Sequence, residues 1–179
     1  NLDDLLPEKG FNVARALVGS ESTLVTILEA KLSLVKNPAS RSLVLLGYPD
    51  VYSAGEHVMD VLEFKPIGLE GIDHKLIQDM QLTGVHRQNI RLLPKGKGWL
   101  IVEFGGNTRD ESDARAREMM AALKRVPNSP SMKLFDDKEE EEEVWKIRES
   151  GLGATAFIPG KPDAWEGWED SAVPPKHVG

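Results

Sequence analysis

The sequence predicts an α+β fold, in which helices pack on one antiparallel sheet. Apolar runs that are typical of strands occur four times between residues 41 and 137, and stretches with the apolar spacing of helices lie between them. The resulting order is strand–helix–strand with an extra helix, followed by strand–helix–strand again. Two βαβ-like halves of this kind predict a ferredoxin-like sheet with helices on one face and extra helices.

Two elements are predicted before residue 39. Residues 11–17 have the apolar spacing of a short helix, and Gly19 ends it. Residues 23–35 follow a two-residue period with leucines at alternate positions and β-branched residues among them. This period predicts a strand, and Pro38 closes it.

The first half of the sheet begins with the continuous apolar run 41–48, which suits a buried strand. Asp50 follows as the N-cap of a predicted helix over 51–64, whose apolar residues fall on one helical face. A short strand is predicted over 65–72, and Asp73 caps the extra helix after it.

The second half repeats the pattern with an apolar strand over 98–106. Thr108 and Glu111 have the spacing of a capping box, which predicts the start of a helix, and the last strand is predicted over 131–137. Five consecutive glutamates then occupy 139–143. Acidic residues suit the positive end of a helix, so we interpret this run as a solvated helix start without a function of its own.

Composition bounds the function. The 179 residues suffice for one domain and hardly for two, and 40% are hydrophobic. The formal net charge of -7 argues against a general nucleic-acid binder, because such proteins need clustered Lys and Arg. The chain has no cysteine, which excludes disulfides, thiolate catalysis and an iron–sulfur cluster held by the chain itself. No stretch approaches the roughly 20 apolar residues of a membrane helix.

Known catalytic motifs are mostly missing. The four histidines have no histidine three or four residues away, so no metal site is predicted. Neither a phosphate-binding loop of the Walker type nor a nucleophile elbow occurs.

Two stretches could carry chemistry. The turn after Gly19 is rich in small hydroxyl residues, so its backbone N–H groups could approach a phosphate or a flavin. Local evidence favours the alternative, an ordinary helix end leading into a strand, because such turns are common. Trp145 and Arg148 are three residues apart on a predicted helix, so an indole and a guanidinium fork could bind a carboxylate there. The alternative is a core tryptophan and an arginine paired with an upstream glutamate.

Four ordered segments together resemble the FAD-linked oxidase family, which includes D-lactate, glycolate and D-2-hydroxyglutarate dehydrogenases. "LVGSESTLVTILEAKLSLV" is similar to the stretch that closes the FAD-binding domain of the family. "WLIVEFGG" resembles a core segment of its C-terminal domain, "VWKIRESGLG" its W-x-x-R-E segment and "WEDSAVPP" its E-D-x-A-V-P segment. The resemblance covers nearly the whole chain.

The resemblance implies roles for particular residues. Arg148 matches the arginine that binds the substrate carboxylate, and Asp170 belongs to a loop that shapes the active site near the flavin. Trp168 stands where the D-2-hydroxyglutarate branch has a lysine, which favours a D-lactate or glycolate type of substrate. The residues that match the FAD-lining stretch are Gly19, Ser20, Glu21, Thr23 and Leu24.

The resemblance also implies an organisation. Residues 1–38 would be the C-terminal end of the FAD-binding domain, and 39–179 a truncated substrate (cap) domain. Because the chain opens on Asn1 and the FAD pyrophosphate loops and the His-rich metal motif of the family are not in it, we expect a fragment that is inactive by itself. Trp165 and Trp168 would then be exposed, mobile or in a contact with another chain.

The expected cofactor is FAD in the full-length protein. The expected partners are a small 2-hydroxy acid, the missing FAD-binding domain and a downstream iron–sulfur region, with a homodimer as a further option. The expected location is cytoplasmic, or peripheral at the inner face of the membrane. The alternative function is a stand-alone ferredoxin-like binding or regulatory module without catalysis.

Overall fold

The computed structural model of the protein describes residues 2–163 and 173–179. The chain divides into two compact units, Asn1–Asn37 and Pro38–Gly179. We call them the first unit and the second unit and describe each by itself.

The first unit contains one α-helix, α1, over Val13–Leu17, after two short 3₁₀ turns at Leu2–Leu5 and Pro7–Lys9. Asn12 caps α1, because its side chain accepts a hydrogen bond from the N–H of Arg15 at 3.0 Å. The predicted short helix is confirmed.

The predicted strand over 23–35 is wrong, since residues 25–38 form neither helix nor strand. A strand needs a neighbour to pair its N–H and C=O groups, and the described residues of the first unit contain no other strand. The alternating leucines are therefore not buried against a sheet, and Leu28 is 95% exposed.

The second unit is built on a four-stranded antiparallel sheet with the order β2-β3-β1-β4. In the central pair, Leu45 lies opposite Ile101. This order is the one that two βαβ-like halves produce when they interleave, so the ferredoxin-like prediction is confirmed. The strands are β1 Ser40–Tyr48, β2 Gly68–Asp73, β3 Gly98–Gly106 and β4 Ser131–Phe135.

Six helices of the second unit accompany the sheet, together with 3₁₀ turns at Arg87–Leu92 and Pro175–His177. The predicted caps Asp50, Asp73 and Thr108 each accept a hydrogen bond from a backbone N–H three residues later. The helices are α2 Val51–Glu56, α3 Val58–Leu62, α4 His74–Thr83, α5 Arg109–Leu123, α6 Lys138–Glu149 and α7 Gly151–Thr155.

The helix predicted after Asp50 breaks in two at His57. In a continuous helix the N–H of His57 would bond the carbonyl of Ser53. Here the Nδ1 of the His57 ring lies 2.8 Å from that oxygen, and the N–H bonds Ala54 instead. The imidazole ring occupies the carbonyl oxygen that the backbone N–H would otherwise use, so α2 ends and α3 begins there.

The sheet is buried on both faces. Alternate residues of β1 point to opposite sides, so Leu45 packs with α4, α6 and α7, whereas Val44 packs with α2, α3 and α5. The prediction places helices on one face of the sheet, and α2, α3 and α5 cover that face. The extra helices cover the opposite face, a position that was not predicted for them.

One end of the sheet is joined to α5 and α6 through Arg109. Its Nη1 donates to the carbonyl of Arg41 at 2.6 Å, and its Nη2 donates to the carbonyl of Phe135 at 3.2 Å and to Glu141 at 2.9 Å. The glutamate run is therefore not wholly solvated, since the side chain of Glu141 is only 13% exposed. Burial raises the pKa of Glu141, and the attraction of Arg109 opposes this shift.

Candidate functional site

Arg148, the predicted carboxylate ligand, lies near the C-terminal end of α6. Val144 and Ile147 are buried and fix the inner face of this helix. Trp145 is half-buried and packs against the core that α4, α6 and α7 share with the sheet. These buried residues hold the backbone of α6 in place. Arg148 itself is exposed, so its guanidinium reaches solvent.

The partner of Arg148 is on the sheet and not among the upstream glutamates. The Nε of Arg148 donates to the Oε2 of Glu70 on β2 at 2.9 Å. Within residues 2–163 and 173–179, neither Nη1 nor Nη2 of Arg148 has an acceptor. Two parallel N–H donors of a guanidinium match the two oxygens of a carboxylate, so this fork retains the geometry to bind one.

A cavity of about 330 Å³ adjoins Glu70. Apolar side chains of α2, α3, β2 and β3 form most of its wall, and Val173, Pro175 and Val178 of the C-terminal segment close one side. Val173 of the E-D-x-A-V-P segment thus lies with Glu70 at the wall of the cavity, and Glu70 in turn contacts Arg148 of the W-x-x-R-E segment. Glu70 carried no signal in the sequence that separated it from other exposed glutamates.

The C-terminal segment lies directly on α2. A Cβ atom built at Gly55 would be 2.9 Å from the Cα of Gly179 and 3.1 Å from its nitrogen. Real Cβ atoms do not approach that closely, so a glycine at position 55 lets the two backbones meet. The sequence gives Gly55 no distinction, because a glycine inside a helix is also tolerated without a packing reason.

A second charged group missed by the sequence analysis is Asp79 on α4. Its side chain is 1% exposed and pairs with Lys75 and, at 3.2 Å, with Lys161. The bond to Asp79 is the main reason that the pKa of Lys75 is raised. The pair with Lys161 fixes the connection that follows α7 on the surface of α4.

The candidate FAD-lining residues lie together in a turn of the first unit. Gly19, Glu21 and Ser22 have φ values of 77°, 44° and 63°, in the left-handed region. Thr23 closes the turn, because its N–H donates to the carbonyl of Ser20 at 2.8 Å. The N–H groups of Glu21 and Ser22 have no acceptor in the described part of the chain. A turn with free N–H donors and small side chains fits the polar edge of a flavin or a phosphate.

The remaining predicted residues lie elsewhere. Asp170, Trp165 and Trp168 fall outside the described residues. In the part of the chain that the structure describes, no group of three or more His, Asp and Glu side chains could hold a metal ion. None of the helices formed by these residues has the length and apolar character needed to span a membrane.

Comparison with known proteins identifies related enzymes. The chain is 27% identical over 179 residues to "D-2-hydroxyglutarate dehydrogenase" of Pantoea ananatis, which covers 94% of this chain and 17% of the relative. It is 29% identical over 171 residues to "Glycolate oxidase subunit GlcD" of Bacillus subtilis, covering 94% and 34%. It is 26% identical over 155 residues to "D-lactate dehydrogenase [cytochrome], mitochondrial" of Arabidopsis thaliana, covering 84% and 26%.

The chain spans between about a sixth and a third of the length of these relatives. A family match extends over residues 37–179, which include every strand and helix of the second unit. The family is described as "FAD linked oxidases, C-terminal domain". The chain therefore belongs to the FAD linked oxidases, C-terminal domain family.

Proposed function

We propose that this chain is part of an FAD-dependent oxidoreductase that oxidises a D-2-hydroxy acid of the D-lactate or glycolate type. The observation that carries the proposal is the guanidinium of Arg148 at an edge of the sheet, whose Nη1 and Nη2 donors have no acceptor among the described residues. Family membership and relatives named for hydroxyacid oxidation support it. Residues 1–38 would close the FAD-binding domain, and 39–179 would form the substrate domain.

Arg148 would bind the carboxylate of the substrate through its Nη1 and Nη2 atoms. A bidentate contact fixes both the position and the rotation of a carboxylate, so the α-carbon is held in one orientation. Asp170 is proposed to belong to the same site.

The turn formed by Gly19, Ser20, Glu21, Thr23 and Leu24 would line the FAD through its backbone N–H groups. FAD, when bound, supplies an acceptor for the hydride that leaves the α-carbon during oxidation. We assign no residue of this chain to the hydroxyl proton. Alone, the chain would neither retain FAD nor turn over substrate.

The test replaces Arg148 by Ala in the full-length flavoprotein. We expect kcat/KM for D-lactate or glycolate to fall about 100-fold, as for the loss of a charge-assisted bidentate contact. The flavin absorbance per protein should stay unchanged. Arg125→Ala is the matched control, because Arg125 is an exposed arginine without an ion pair in the described part of the chain. Unchanged turnover in the Arg148 variant would remove Arg148 from the site.

The substrate itself is decided by the same preparation. Several relatives are named for D-2-hydroxyglutarate and others for glycolate or D-lactate. We expect D-lactate or glycolate to reduce the flavin faster than D-2-hydroxyglutarate does. Faster reduction by D-2-hydroxyglutarate would overturn the proposed substrate type but not the reaction.

The comparisons do not favour the stand-alone binding module. The native polypeptide distinguishes the two, by its mass and its visible spectrum. A chain several times heavier with flavin bands supports the enzyme. A colourless native chain of about 179 residues supports the module.

A further inference from the structure

We propose that Glu70 is a positioning residue, which orients the guanidinium of Arg148 toward the carboxylate of the substrate. The inference rests on the proposed function of Arg148. It adds a residue to the site.

The first argument is where Glu70 lies. In the sheet register Glu70 is opposite Ile101, and Ile72 is opposite Trp99; Ile72, Trp99 and Ile101 belong to the core on the α6 side. Side chains two residues apart on a strand share a face, so the carboxylate of Glu70 is directed to the side of α6. This register brings together two residues that are 78 positions apart in the chain.

The second argument is that the ion pair is poorly placed to stabilise the fold. The side chains of Arg148 and Glu70 are 45% and 43% exposed. Pairs this exposed gain little, because water screens the attraction and two long side chains lose freedom. Fold stability therefore does not account for the pair, and a role in orienting Arg148 is compatible with its exposure.

The third argument is the atom that Glu70 uses. It accepts from Nε of Arg148, which lies on the side of the guanidinium, and leaves Nη1 and Nη2 without an acceptor in the described residues. A bond at Nε restricts rotation of the planar group while the Nη1–Nη2 edge stays available. Fixing the fork before the ligand arrives reduces the entropy lost on binding.

The experiment compares Glu70→Gln and Glu70→Ala in the full-length enzyme, with D-lactate as the probe. Gln keeps an acceptor for Nε, so KM for D-lactate should stay near the wild-type value. Ala also removes the acceptor, so KM for D-lactate should rise about tenfold.

Glu118→Gln is the matched control, since Glu118 is an exposed glutamate on α5 without an ion pair in the described part of the chain. An unchanged KM for D-lactate in the Ala variant, or a rise in the Gln variant as large as that in the Ala variant, overturns the proposal. Arg148→Ala separates the two levels of inference. Loss of turnover in Arg148→Ala with wild-type behaviour of both Glu70 variants overturns the role of Glu70 alone. Wild-type turnover in Arg148→Ala overturns the function on which it rests.

Discussion

Two arginines of the second unit are used in opposite ways. Arg109 donates to two carbonyls and to Glu141, so the protein itself takes up both Nη atoms. Among the described residues, Arg148 donates only its Nε, to Glu70. The first arrangement joins β1, β4, α5 and α6, whereas the second leaves Nη1 and Nη2 without an acceptor in the described residues. If Arg148 binds the substrate as proposed, the partners of an arginine, more than its exposure, separate a structural role from a binding role.

Arg109→Ala should have the largest effect on stability. It removes one donor to Glu141 and one to each of the carbonyls of Arg41 and Phe135, which should lower the free energy of unfolding by about 3 kcal/mol. Arg148→Ala is the matched variant and should cost less than about 0.5 kcal/mol, because its ion pair is exposed. Urea unfolding of the 179-residue chain measures both. Equal losses would erase the distinction between the two arginines.

Asp79→Asn should have the next largest effect. The change removes the charge that holds Lys75 and Lys161, at a side chain that is 1% exposed. We expect a loss of about 2 kcal/mol in the free energy of unfolding, measured in the same urea experiment. The control is Asp136→Asn, since Asp136 is exposed and has no bond in the described part of the chain. A loss no larger than that of the control would mean that the lysines contribute nothing at Asp79.

The pair of Arg148 and Glu70 should show only weak coupling. A double-mutant cycle with Arg148→Ala and Glu70→Ala should give a coupling free energy of about 0.5 kcal/mol. The free energy of unfolding at low ionic strength is the quantity to compare. A coupling above about 2 kcal/mol would make this pair as structural as the Arg109 contacts.

The smallest expected effect is a pH dependence at Glu141. Burial raises the pKa of this carboxyl above its usual 4.5, so its protonated form is favoured in the folded state. The stabilisation that the raised pKa contributes to the folded state is fully present below pH 4.5, where the carboxyl is protonated. It is lost as the pH rises through the raised pKa and the carboxyl ionises. Glu141→Gln, which stays neutral, should therefore lose less stability over that rise, as thermal unfolding at successive pH values would record. Parallel curves for both proteins would contradict the shift.

Much of the sheet could be predicted from local patterns. β1 and β3 are continuous apolar runs because both of their faces are buried, and Asp50, Asp73 and Thr108 cap helices as their positions predict. Patterns of this kind depend on a few neighbouring residues. The order of the strands followed from the repeat of two βαβ-like halves.

The failures share a physical reason. The two-residue period over 23–35 describes a segment that could pair, but the partner strand is not encoded in that segment. The break at His57 depends on one ring reaching the carbonyl of Ser53. Glu70 and Arg148 meet across 78 residues, and Asp79 and Lys161 across 82. Contacts at such separations exist only after the chain has folded, so no local signal announces them.

The contact between Gly55 and Gly179 makes the shape of the cavity sensitive to the size of residue 55. Any larger residue there would displace the C-terminal segment from α2, because the added Cβ would be 2.9 Å from the backbone of Gly179. The wall formed by Val173, Pro175 and Val178 would lift with it. A single methyl group, on a residue that bears no chemistry, would then widen the opening of a cavity that is already partly open to solvent.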